Sequence, residues 1–174
     1  MNLKKYIIWM LSVVTIIFLI LISQGNIGVS QDNIENDARK SQKIQEEWIT
    51  AKYFNDDFGA LLFYSEDLSN FTFSIYQNRP GFSFGYFFRS GGGLPGVSDD
   101  ILKVTSNGQG NIFLSLNKMQ VARIEIDNGS QIKEIEIENT KPFTVIIPEN
   151  SGEIHFYDIY ENLIPNKFII EFSL

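Results

Sequence analysis

The chain changes its hydrophobic rhythm twice. Tyr6 to Ile22 (YIIWMLSVVTIIFLILI) carries no charge at all. At about 1.5 Å per residue such a helix covers most of the ~30 Å hydrocarbon core of a bilayer. Ser12 and Thr15 are tolerable inside it because their hydroxyls can return to carbonyls one turn back. From Asn33 to Tyr53 the small and apolar residues Ala38, Ser41, Ile44, Trp48 and Ala51 recur every three or four positions. That spacing predicts an amphipathic helix over 33–54, capped by Asp32 or Asn33, with Glu35 and Asp37 in its first turn. The stripe is narrow, so docking is expected through the C-terminal half, with Trp48 as the contact.

From Phe58 onward the period drops to two. Ala60–Tyr64 reads as a buried strand. Phe71, Phe73 and Ile75 alternate with polar neighbours and are followed by the turn Asn78-Arg79-Pro80-Gly81. Phe82, Phe84 and Tyr86 then form the returning arm of an aromatic hairpin. Ser90–Ser98 (SGGGLPGVS) reads as a loop. The second half repeats the rhythm with aliphatic residues in Ile101–Thr105, Ile112–Leu116, Ala122–Ile126, Ile135–Ile137, Pro142–Pro148, Glu153–Tyr160 and Lys167–Leu174. The turns Asn107-Gly108-Gln109-Gly110 and Asn128-Gly129 divide it. Glu134, Glu136 and Glu138 share one face and mark a solvated edge. About 8–9 short strands without intervening helices predict an all-β fold, an antiparallel, immunoglobulin-like β-sandwich. The organisation expected is a basic start and anchor over 1–23, a short flexible linker over 24–32, the helix over 33–54 and a β domain over 55–174.

Charge gives the run a direction and the domain a surface. Lys4 and Lys5 precede the apolar run and should stay in the cytoplasm, which places the remainder outside. The alternative is a cleaved signal peptide, with Gly28 and Ser30 before a new start at Gln31. Setting Lys4 and Lys5 aside from the 14 basic residues moves the formal charge from −7 to −9 against the same 21 acids. An acidic exterior disfavours nucleic acid. No cysteine is present, which removes disulfides, thiolate metal sites and a cysteine nucleophile.

Candidate chemistry is sparse. Gly81-Phe82-Ser83-Phe84-Gly85 matches the serine-hydrolase spacing, and Asp127 and His155 follow in order. A straight aromatic strand through the motif denies Ser83 the strand-to-helix turn that the chemistry needs. His155 is the single histidine. The pairs Asp56-Asp57, Glu66-Asp67 and Asp99-Asp100 lack calcium-loop spacing. No catalytic set, cofactor or metal site is expected.

Thirteen of the 24 aromatic residues fall between Tyr53 and Phe88. One inward set per strand leaves Tyr64, Tyr76, Phe87 and Phe88 over, and with Trp48 these form the candidate binding surface. The sequence thus points to a non-catalytic binding module held at the membrane by residues 6–22, meeting a protein or other envelope partner. The alternatives are an envelope enzyme or inhibitor acting through the 90–98 loop, and a structural subunit of a membrane complex.

Overall fold

The apolar run forms a helix. The computed structural model describes residues 3–23, 25–79, 84–93, 101–106, 110–165 and 169–173. Helix α1 covers Leu3–Ser23. Ser12 and Thr15 donate to the carbonyls of Ile8 and Leu11, each at 2.9 Å. The stretch Lys4–Ser23 is long and apolar enough to cross a membrane, and none of it is buried in protein.

The segment after α1 is not the free linker that its glycines suggest. Gly28 and Val29 donate to the carbonyls of Phe84 and Tyr86 at 2.7 and 2.8 Å. Phe84 and Tyr86 donate in return to Asn26 and Val29, both at 2.8 Å. Glycine serves close approach here. A Cβ on Gly28 would lie 2.5 Å from the Tyr86 oxygen, and one on Gly85 would lie 2.7 Å from the Val29 oxygen. Gly85 also sits at φ +87°, where a side chain is strained.

Helix α2 covers Ile34–Gln42, less than half of the predicted span. Lys43 turns left-handed at φ 55°, and the Ile44 N–H reaches back to the Arg39 carbonyl at 2.9 Å. That is a Schellman-type stop made without glycine. Strand β1 follows at Ile49–Phe54. The helical spacing of Trp48 and Ala51 coincided with a period-two segment, Ile49-Ala51-Tyr53, whose pairing partner lies in β2. Docking is accordingly through Ile34 and Ala38, both fully buried, and not through a helical Trp48. Asn33 occupies the N-cap position, but its amide donates to Ser30 Oγ.

Eleven strands lie among the described residues. Sheet 1 is an antiparallel meander, β1 with β2 (Phe58–Tyr64), β3 (Phe71–Asn78) and β4 (Tyr86–Gly92). Sheet 2 runs β11 (Ile169–Ser173), β5 (Ile101–Ser106), β6 (Gly110–Ser115), β9 (Phe143–Ile147). Sheet 3 runs β10 (Glu153–Asp158), β7 (Val121–Asp127), β8 (Ile132–Glu136). One pairing departs from the antiparallel expectation: β11 lies parallel to β5, Ile169 opposite Ile101. A second correction concerns the 90–98 loop. Ser90, Gly91 and Gly92 continue β4 opposite Ile75, Ser74 and Phe73, after a bulge that leaves Arg89 extra. The glycine at 91 is required because a Cβ there would meet the Phe73 oxygen at 2.6 Å and Gln42 Nε2 at 2.7 Å.

Three cores follow from alternation. Phe58, Ala60, Leu62, Phe73 and Ile75 of sheet 1 join Leu102, Val104, Ile112, Leu114 and Ile146 of sheet 2. The opposite face of sheet 2 joins sheet 3 through Phe113, Val145, Ile124 and Phe156. The outer face of sheet 1 holds Leu61, Phe63, Tyr76 and Tyr86 against Ile34 and Ala38 of α2. Strand β2 is buried along its whole length because both of its faces are covered. The turns Pro80-Gly81 and 107–109 and the pair Asp99-Asp100 lie outside the described residues.

Candidate functional site

The structure distributes the five aromatic candidates over several environments. Tyr64 is buried in the core between sheets 1 and 2, and burial pushes its phenol pKa up. Tyr76 is fully buried under α2, where its hydroxyl donates to Asp37 Oδ2 at 2.6 Å. Burial first, and the Asp37 carboxylate second, push this phenol well above its ordinary range. Neither ring is presented to a ligand. Phe88 is 48 % exposed and meets Tyr76 edge-on at 5.6 Å. Phe87 is half-buried beside Gly28, with the Arg79 guanidinium 4.0 Å above its ring. Trp48 is half-buried in the turn between α2 and β1.

Trp48 lines a concavity. An open cleft of about 720 Å³ runs between the α2–β1 turn and the β2–β3 turn. Gln45, Glu47 and Trp48 form one wall; Ser65, Glu66, Asp67, Ser69 and Asn70 form the other. The indole is fixed by its own N–H, which donates to Gln45 Oε1 at 3.1 Å. Asp67 accepts from Ser65 Oγ (2.6 Å), Ser69 N (3.1 Å) and Ser69 Oγ (2.8 Å). These bonds, the Ser65 hydroxyl foremost, hold its carboxyl at about 2. So weak a base does not activate either serine near neutral pH. The cleft offers a π face beside carboxylates and hydroxyls, a set suited to a cation or a polar ligand.

The floor beneath Trp48 is rigid. Arg39 donates to the Gln45 and Trp48 carbonyls at 2.9 Å each, and to Thr50 Oγ1 at 2.7 Å. Glu35 takes bonds from Arg39, Thr50 and Lys52. Burial opposes ionisation of Glu35, but those three bonds outweigh it and hold its pKa below the ordinary range. The turn that carries Trp48 is therefore tied from α2 to β1 by one charged network. Sequence reading singled out Trp48 for a helical stripe. The partners that form the cleft, Ser65–Asn70, are 17 or more positions away and carried no pattern beyond turn composition.

Gln42 was missed altogether. Its side chain accepts from Thr72 Oγ1 at 3.0 Å and donates to Ser74 Oγ and to the Phe73 carbonyl. It satisfies the buried hydroxyls of β3 and locks the end of α2 onto sheet 1. His155 is half-exposed on β10, with Nε2 3.6 Å from Glu153 Oε2. Among the described residues no group of three or more His, Asp or Glu is placed to hold a metal ion. Gly81, Phe82 and Ser83 of the hydrolase-like motif, and 94–98 of the candidate loop, lie outside the described residues. No protein-family model, curated protein or solved structure matches this chain.

Proposed function

We propose that this is a membrane-anchored extracytoplasmic binding module, non-catalytic, that takes a cationic group of an envelope partner into the Trp48 cleft. The observation that carries it is the cleft itself: an indole fixed beside Glu47 and Glu66 on a chain of net charge −7. A lysine or arginine side chain gains from the ring face and from both carboxylates. The β-sandwich reading is supported by the core shared between sheets 1 and 2, with sheet 3 as a further layer. Immunoglobulin-like connectivity draws no support from sheet 1, whose strands follow one another as a plain meander.

Retention of the anchor is favoured by the pairing of Asn26–Val29. Cleavage before Gln31 would strip those residues from the edge they share with Phe84 and Tyr86. Lys4 and Lys5 orient the helix with its start in the cytoplasm.

Trp9 and Trp48 are the two tryptophans. In a Trp9→Phe background, Trp48 emission should shift saturably as tri-lysine is added. The shift should fade with salt and disappear in Glu47→Lys/Glu66→Lys. An emission spectrum that ignores millimolar tri-lysine sinks the cationic reading.

A further inference from the structure

Phe84 and Ile27 face away from all three cores. Phe84 is 58 % exposed and Ile27 is 38 % exposed, although their backbones are paired to each other. Together with Val14, Ile17, Phe18 and Leu21 of α1 they line a cleft of about 380 Å³ with no polar surface. The four helix residues fall at i, i+3, i+4 and i+7, so they form one face of α1. Phe84 therefore stands beside the last turns of the helix and not beyond its end. Ser23 lies only two residues past Leu21, about 3 Å along the axis.

The charge at this edge is mixed in space, because the carbonyls of Asp56 and Asp57 accept bonds from Asn78, next to Arg79, but along the chain it is basic. Between Leu68 and Ser98 the chain carries Arg79 and Arg89 and no acid, in a protein of net charge −7. Arg79 lies over Phe87, and Phe87 packs beside Gly28 in the segment that leaves the helix. Apolar side chains level with the outer turns of a membrane helix, with arginine at their margin, match the layering of a bilayer: acyl chains, then phosphate.

From this we infer that the β domain stands on the bilayer, with Phe84 and Ile27 seated among the outer-leaflet lipid chains and Arg79 at the headgroup phosphates. The inference rests on the anchored reading above. Lipid that covers the exposed face Val14–Leu21 covers Phe84 and Ile27 with it, because one cleft contains all six side chains. Sheet 1 then meets the membrane at the entry to β4.

The absence of cysteine makes the test direct. Single variants Phe18→Cys, Ile27→Cys, Phe84→Cys and Ile132→Cys of the full chain each carry one nitroxide in phosphatidylethanolamine/phosphatidylglycerol vesicles. Relaxation by oxygen is compared with relaxation by a water-soluble nickel chelate. Positions 27 and 84 should resemble Phe18→Cys, several-fold more oxygen-weighted than Ile132→Cys on exposed β8. Arg79→Glu should move position 84 toward water in these anionic vesicles. Phe84→Trp in a Trp9→Phe/Trp48→Phe background, quenched by brominated lipid, repeats the reading with an aromatic side chain. Water-like values at 84 while Phe18→Cys reports lipid overturn the footing and spare the anchor. Water-like values at Phe18→Cys overturn both. Dipolar broadening between labels at 84 assigns the patch to a second copy and also overturns it.

Discussion

Two buried tyrosines show how single groups decide what this surface can be. Tyr76 and Tyr86 each bury a ring and return the hydroxyl to a defined acceptor, Asp37 for one and the Asn55 carbonyl for the other, at 2.6 and 2.7 Å. They are fasteners between sheet 1 and what lies over it. Tyr76→Phe keeps the ring and removes the bond to a charged acceptor. Asp37 is half-exposed and recovers water in exchange, so the expected loss is about 1–2 kcal/mol of unfolding free energy. Urea denaturation should show a lower midpoint with an unchanged slope. Counting aromatics along the sequence marked Tyr76 as surplus to the strand pattern. Its surplus was real only for a single-faced sheet. Sheet 1 is covered on both sides, so its second face needed aromatics too.

At the scale of elements the sequence misled at Gly28 and Gly91, where glycine had a partner. Gly28, Gly85 and Gly91 sit in stretches that read as linker, strand and loop, and each holds a place where another chain segment touches the backbone. Such contacts join residues far apart in sequence, and no local window contains both sides. The period-two strands, the Asn128-Gly129 turn and the exposed β8 edge were legible because each is a local or alternating property. The helix end at Gln42 was not, because its stop depends on a left-handed lysine. The cleft was half legible: Trp48 stood out, but its opposite wall is set by the β2–β3 register. Gly28→Ala tests the close approach. Its Cβ cannot coexist with the Tyr86 carbonyl 2.5 Å away. Hydrogen exchange should lose protection at the Val29 and Tyr86 amides while Leu61–Phe63 in β2 keeps it.

For the whole molecule, the pairing after α1 ties the segment that leaves the helix to the residues that open β4. A chain beginning at Gln31 loses four backbone hydrogen bonds to Phe84 and Tyr86 and the packing of Val29 against the α2 core. At roughly 0.5–1.5 kcal/mol per bond, it should be about 2–6 kcal/mol less stable than a chain beginning at Asn26. Chemical denaturation of the two, both without α1, measures that difference directly.

The parallel strand β11 has a consequence for how the protein is made. Its partner β5 pairs Ile101 with Ile169, 68 positions later in the chain (169 against 101). At ~5–20 residues per second, synthesis leaves β5 without that neighbour for several seconds. Sheet 1 and the β5–β6 ladder have emerged by then, yet one flank of the central sheet is still open. An unpaired flank is a template for any extended segment nearby, including one from another nascent copy. Prompt arrival of the β11 segment, or shielding of β5, closes that flank, and slow passage of the chain after β10 is the step at which misassembly would begin.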